Sequence, residues 1–315
     1  MPPTESAFGL DLDIDPAIRV PGLATGAGGG ADAEATTVRL DPETLRRRWA
    51  PGAGEARRMR ELSAGEETLL TVDLAEPAGY LLDAVGVARV LVSLDGHEVL
   101  CDPDPAEPDW AFVLAAQALP LAATLRGFEV LHASGVVTGA GAVLFAGEPG
   151  AGKSSLAAAM LRAGATLLGD DAIALREGDG ELLAHPGTGS LYLRAAEHER
   201  LSEAERGRLG PAVGFAGRER VALAPAPPTP LAALFLLERA SAGPEVEPLE
   251  SVDPFELLAA TFNLSVRTPE RLVRQLDLVG TLAEGALVHR LRILPDGDAT
   301  ASAAAVESYL GTPAR

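Results

Sequence analysis

Lysine is nearly absent from this 315-residue chain: of its 26 basic residues, 25 are arginine and one, Lys153, is lysine. A single cysteine, Cys101, excludes an internal disulfide and points to a reducing compartment. Basic side chains are outnumbered by acidic ones, 26 to 45, for a formal charge of −19. A protein of that sign repels polyphosphate and anionic lipid at long range, so no nucleic acid and no membrane surface is expected as a partner. Long apolar runs are missing too: Leu231–Leu237 is far short of the ~20 residues that a membrane span needs. The opening MPPTESAFGLDLDIDP has neither a basic region nor an apolar stretch of the secretory kind. The expectation is a soluble, cytoplasmic protein. What is present, 47% apolar and 23% charged residues, suffices for one large or two ordinary domains with a core of their own.

The pattern along the chain divides in two. Residues 1–108 read as a smaller, mostly β domain. Phe8, Leu10, Leu12 and Ile14 alternate as one strand, Gly/Ala-rich residues 22–36 as a mobile loop, and four short β-like runs lie between Leu69 and Cys101. Residues 109–315 read as an α/β domain. A helix over Trp110–Arg126 precedes a hairpin of Val130–His132 with Val136–Thr138, which feeds a strand Ala142–Ala146. A helix from Ser154 to Gly164, a strand Thr166–Leu168 and a hairpin across Glu177–Gly180 follow. Residues 197–230 read as irregular; strands Ala232–Leu237 and Leu287–Leu294 and helices over 254–263, 268–284 and 299–310 complete the chain.

The lone lysine lies in Gly147–Glu148–Pro149–Gly150–Ala151–Gly152–Lys153–Ser154, which fits G-x-x-x-x-G-K-[ST], a phosphate-binding loop. Glycines let the backbone curl so that successive N–H groups face phosphate oxygens, and the helix that starts there adds its positive end. Lys153 then serves the β- and γ-phosphates as a compact charge, and the hydroxyl of Ser154 is a ligand for Mg2+. Ser155 belongs to the same first helical turn. The plain alternative is a Gly-rich turn capping an ordinary helix. The one lysine of an arginine-biased chain falls in the motif's frame by chance only about once in a thousand, and a strand precedes it and a helix follows, as the motif requires.

Asp170 and Asp171 lie past one helix and one strand from Ser154, which puts them at the carboxyl end of the neighbouring strand, where open α/β sheets bind ligands. Neighbouring residues on a strand face opposite sides, so the two carboxylates can divide metal binding and proton acceptance. His132 sits before the loop strand; a lone histidine is more often structural than functional. His97, His185, His198 and His289 show no metal-ligand spacing.

Three runs, L-H-A-S-G-V at 131–136, G-E-P-G-A-G-K-S at 147–154 and G-D-D at 169–171, resemble the catalytic core of HPr kinase/phosphorylase. The chain departs from that family at Glu148–Pro149, usually Asp-Ser, at Ser155, usually Glu, and in 190–230, where the signature associated with phosphorolysis is not recognisable. The opening A-F-G-L at 7–10 and L-R-G at 125–127 extend the resemblance to HPr-kinase-like proteins of ribosomal-peptide biosynthesis, including kinases of lasso-peptide precursors. The resemblance implies an α/β, P-loop, HPr-kinase-like catalytic domain with a β-rich N-terminal accessory domain. It implies ATP and Mg2+ as cofactors, with Lys153 and the loop amides holding phosphates, and Ser154 and Asp171 serving the metal. Asp170, assisted by His132, would accept the proton of a serine hydroxyl in a protein or precursor peptide, and relatives form homo-oligomers.

Two other readings fit the same motifs: a nucleotide-binding regulatory protein or scaffold without transferase activity, and a kinase of a small-molecule hydroxyl. The net charge favours a basic acceptor through on-rate and salt dependence. Arg126, Tyr192, Arg194, Arg218 and Arg220 are the acceptor-groove candidates, and the helix 268–284 is the candidate for self-association.

Overall fold

The computed structural model describes residues 5–25, 34–178, 180–199, 201–209, 212–215, 218–262, 265–284, 287–294 and 299–311. It is a mixed α/β protein that separates into two compact units, Met1–Val20 with Thr25–Val130 and Asn263–Arg274, and Pro21–Ala24 with Leu131–Phe262 and Gln275–Arg315. The division falls at Val130/Leu131, where the sequence reading draws it at 108/109. Most of the Gly/Ala-rich run of 22–36 lies outside the described residues.

The first unit is built on a nine-stranded sheet. Its strands are β1 (Glu5–Ala7), β2 (Leu10–Ile14), β3 (Ala24–Thr25), β4 (Thr36–Leu40), β5 (Arg57–Ala64), β6 (Glu67–Ala75), β7 (Gly79–Ala84), β8 (Ala88–Val92) and β9 (Glu98–Pro103), in the order β3-β1-β2-β4-β9-β8-β7-β6-β5. The single strand expected over residues 8–14 is instead a hairpin. Phe8 and Gly9 turn it with positive φ, 56° and 82°, the pairing that matches strand twist in a two-residue turn. A Cβ at Gly9 would lie 2.2 Å from the Phe128 ring, so no other residue fits there.

The sequence reading passed over a helix at Pro42–Trp49. Its start is written locally: Asp41 Oδ1 accepts from the Thr44 N–H at 2.9 Å and Pro42 occupies the first turn. Leu45 and Trp49, one turn apart, pack on Leu81, Leu91 and Leu100. The helical stretch of Ala111–Val113, Leu114–Ala118 and Leu119–Leu125 widens to a π turn in its middle segment.

Glu129 and Arg271, each 2% exposed in their side chains, form a buried ion pair at 3.3 Å, and Arg274 adds a second at 3.1 Å. Burial pushes the carboxyl of Glu129 up, and the two guanidinium groups oppose that. Removing the carboxylate strands a buried guanidinium. Glu129→Ala is therefore expected to destabilise the first unit by about 3–5 kcal/mol, measured by urea unfolding.

The second unit follows β10 (Glu129–Leu131), which spans the division. Its strands are β11 (Ala133–Thr138), β12 (Gly141–Ala146), β13 (Thr166–Gly169), β14 (Ile173–Gly178), β15 (Glu181–His185), β16 (Ser190–Arg194), β17 (Ala212–Phe215), β18 (Arg218–Ala222), β19 (Thr229–Arg239), β20 (Glu245–Pro248) and β21 (Val288–Ile293). The main sheet runs β14-β15-β19-β12-β11-β13, with β21 also beside β19 and β20 beside β21. The hairpin before the loop is β11 with β12, turned at Gly139–Ala140, rather than residues 130–132 with 136–138.

β12 lies parallel to β19, and β19 parallel to β21. β12 is apolar throughout because both of its faces are covered. Val143 and Phe145 meet Met160 and Val306, on helices Lys153–Arg162 and Ala299–Leu310. Ala142, Leu144 and Ala146 share a second core with Leu257, Val279 and Leu282. Within residues 197–230, expected to be irregular, β17 and β18 join β16 in a three-stranded sheet of order β16-β18-β17, whose alternation buries Leu191, Leu193 and Val221. Among the described residues, no helix is long and apolar enough to cross a membrane.

Candidate functional site

Three strand ends converge in the second unit. β12 ends at Ala146 and opens into the Gly147–Ser154 loop. β11 begins beside that end, with Ala133 opposite Ala146. β13, antiparallel to β11 and so running with β12, ends at Gly169 opposite Gly135. Asp170 and Asp171 therefore sit one strand further from the loop than sequence spacing suggests, with β11 between, and β11 contributes a group of its own to the gap.

The loop takes the shape its glycines permit. Gly147, Gly150 and Gly152 have φ of 151°, 80° and 102°, and Gly152 heads the helix Lys153–Arg162. A Cβ on Gly147 would lie 3.1 Å from the Leu237 carbonyl oxygen at the end of β19, and one on Gly152 3.7 Å from Ile293 at the end of β21. The loop thus rests on the carboxyl ends of two strands parallel to its own. Lys153 is 7% exposed, and its ammonium donates to the carbonyls of Gly147 at 2.9 Å and Glu148 at 3.2 Å. Ala151 is buried, Pro149 is exposed, and Ser155 lies in the first helical turn.

Asp170 is the hub. Its Oδ1 accepts from Ser134 Oγ, from Ser154 Oγ at 3.0 Å and from the Asp171 N–H at 3.1 Å, while Oδ2 accepts from the Tyr192 N–H at 3.0 Å. Burial, and after it the charge of Asp171, raise its pKa from 3.8 to about 6; the bonds from Ser134, Tyr192 and Ser154 pull the other way. Three donors on one oxygen and one on the other leave Oδ2 with the spare capacity to take a proton.

Asp171 is one of two non-glycine residues with positive φ among the described residues, at 68°. Its carbonyl oxygen lies 2.9 Å from His132 Nδ1, which must carry the proton there to donate. His132 is thereby tied to the backbone of the second aspartate, holding it in a conformation L-residues seldom adopt. Its own N–H donates to the Ala260 carbonyl at 2.6 Å.

Sequence reasoning brought the loop, His132 and both aspartates to one place but missed Ser134. Its signal was slight: Ser134 stands two residues past His132, as a hydroxyl within the apolar run of β11, and is fully buried. Of the acceptor candidates, Tyr192 joins the site through its backbone, and Arg220 lies opposite it in β18. Burial raises the phenol of Tyr192, and Arg220 lowers it. An Arg194 nitrogen comes within 3.9 Å of where a Gly150 side chain would begin. The Arg218 side chain lies outside the described residues. Arg126 belongs to the first unit, where it donates to Thr36 Oγ1 at 3.1 Å and to the Glu34 carbonyl at 2.8 Å.

The donor set suits a hard cation only in part. Ser154 Oγ gives its proton to Asp170, which leaves its lone pairs free, and Asp171 supplies a nearby carboxylate. Among the described residues no group of three or more His, Cys, Asp or Glu forms a protein-only metal cage.

No family model matches the chain, and no curated protein matches it in sequence. Among solved structures, it is similar to the Hpr(Ser) kinase/phosphatase from Coxiella burnetii, with 14% identity over 57% of this chain and 95% of that one, at a TM-score of 0.31.

Proposed function

We propose that this protein is an ATP- and Mg2+-dependent kinase that transfers the γ-phosphate to a serine hydroxyl of a protein or peptide. The observation that carries the reading is the hydrogen bond from Ser154 of the phosphate loop to Asp170. It joins a phosphate cradle to a buried carboxylate of raised pKa, as a transfer centre requires and phosphate binding alone does not. The acceptor hydroxyl attacks the γ-phosphorus in line, its proton passes to Asp170 Oδ2, the bond to the bridging oxygen breaks, and ADP departs. Lys153 and the loop N–H groups meet the charge on the phosphates. Mg2+, held by Ser154 and Asp171, supplies neutralisation of the phosphate oxygens. His132 holds the Asp171 backbone. A lasso-type precursor peptide is the acceptor that the sequence resemblance favours.

The test is turnover of Mg-ATP against paired peptides that differ only by serine or alanine at one position. Label in the serine peptide alone supports the reading; ATP binding with no transfer to any hydroxyl sinks it in favour of a nucleotide sensor.

Because Asp170 must be ionised to accept a proton, kcat/KM is expected to fall about tenfold per pH unit below about 6. Two variants should move that limb in opposite directions. Ser134→Ala removes a donor from the carboxylate and shifts the limb up by about one pH unit. Asp171→Asn removes the neighbouring like charge and shifts it down. Steady-state profiles from pH 5 to 9 check both.

A further inference from the structure

Arg239, the last residue of β19, stands on the same face of the sheet as Phe235 and Leu237, the face covered by the helix that starts at the phosphate loop. That face brings its guanidinium to the loop, where Nη2 donates to the Gly150 carbonyl at 2.6 Å. The two arginines of the neighbouring β21 are paired: Arg290 with Glu238 and Glu256, and Arg292 with Glu245 and Glu247. Arg239 has no carboxylate partner among the described residues, and it is exposed. An arginine beside a phosphate loop, with no counter-ion among the described residues, has the charge to serve that loop as a further cation. It is also a type that lysine cannot replace, since its planar fork can bind two phosphate oxygens at once.

Both cations rest on the loop in the same way. Lys153 occupies the carbonyls of Gly147 and Glu148, and Arg239 that of Gly150. A carbonyl oxygen is a weaker partner for either than a phosphate oxygen carrying formal charge. The end of β19 is held in the sheet by its parallel pairing with β12, Leu236 opposite Ala146, and with β21, Arg239 opposite Ile293.

We propose that Arg239 is a nucleotide-contacting residue that leaves the Gly150 carbonyl to bind the terminal phosphate of ATP, acting in cis as the arginine that recognises the γ-phosphoryl group. The inference rests on the proposed role of the loop as a nucleotide site, but not on any transfer. It makes the site selective for the triphosphate: ADP lacks the group that Arg239 takes, and leaves the guanidinium on the loop.

The experiment is calorimetric titration of wild-type, Arg239→Ala and Arg239→Lys proteins with Mg-ATP and Mg-ADP. Arg239→Ala is expected to weaken ATP by tenfold or more while ADP stays within about twofold, and Arg239→Lys to recover only part of the loss. Equal losses for ATP and ADP would overturn the proposal, since they would mark Arg239 as a brace of the loop backbone. Unchanged or tighter ATP binding would overturn it as well. Thermal unfolding of both variants without nucleotide controls for loss of the fold, and the ATP-to-ADP ratio is read only on folded protein. The test also separates the two claims. A wild type that binds ATP but transfers nothing defeats the kinase reading, while the ATP-selective loss on Arg239→Ala still decides this one.

Discussion

Lys153→Ala is expected to lower phosphate transfer by on the order of 10³-fold. Lys153 is 7% exposed as a residue, and its ammonium is held at the base of the loop, where partial shielding from water strengthens its charge relative to bulk solvent. No other residue of Gly147–Ser154 is basic, and Arg239 reaches the loop at Gly150 rather than at its base. Lys153→Arg should fare little better. The guanidinium is larger and planar, and Nζ now makes two bonds inside a curl of backbone, to the carbonyls of Gly147 and Glu148. The composition supports the same point: a chain that uses arginine 25 times out of 26 retains lysine where a compact cation is required. Transfer from labelled ATP under saturating Mg2+, with circular dichroism as the folding control, checks both variants.

Asp170→Asn should cost transfer by roughly 10²–10⁴-fold, the span usual for a lost general base. The stability result should differ in kind. The carboxyl of Asp170 titrates at about 6 in the fold against 3.8 unperturbed, so the folded state binds the proton more tightly than the unfolded one. Below about pH 3.8 both states are protonated and the group costs nothing. As pH rises from about 4 to 6 the unfolded chain ionises first and stability falls; above about 6 the full penalty, up to about 3 kcal/mol, is present. Asparagine removes that penalty. It also turns one N–H toward the Tyr192 N–H, which now donates to Oδ2, and this offsets part of the gain. The variant is expected to be about as stable as wild type at pH 7.5, and to lose the decline between pH 4 and 6. Loss of transfer with the fold intact is the signature of a carboxylate buried for function rather than for structure.

Much of this site was legible in the sequence because its parts are local. The Gly147–Ser154 loop, the helix after it and the strand before it occupy consecutive residues, and each announces itself by residue type. The aspartate pair follows within one helix and one strand. What stayed hidden depended on strand order. Periodicity finds β11, β12 and β13, but not that β11 lies between the other two and so delivers Ser134 to Asp170. Arg239 is 86 residues past Lys153 along the chain, and only the parallel pairing of β19 with β12 brings it to the loop. In the first unit the reading took the Phe8–Gly9 turn as part of a strand, because phenylalanine continues the apolar alternation while its backbone breaks it. The Pro42–Trp49 helix escaped because three of its eight residues are consecutive arginines, which obscure the Leu45–Trp49 spacing that buries it.

The measurement that bears most directly on the central claim places wild type and Asp170→Asn side by side with γ-labelled ATP, Mg2+ and a serine peptide. Nucleotide affinity is taken on the same samples, and mass spectrometry locates the added phosphate. The expected result is phosphoserine with the wild type, transfer reduced at least a hundredfold in the variant, and ATP affinity within a few-fold between them. Equal transfer by the two proteins would contradict the account, and so would a variant that loses ATP affinity while the wild type transfers to nothing.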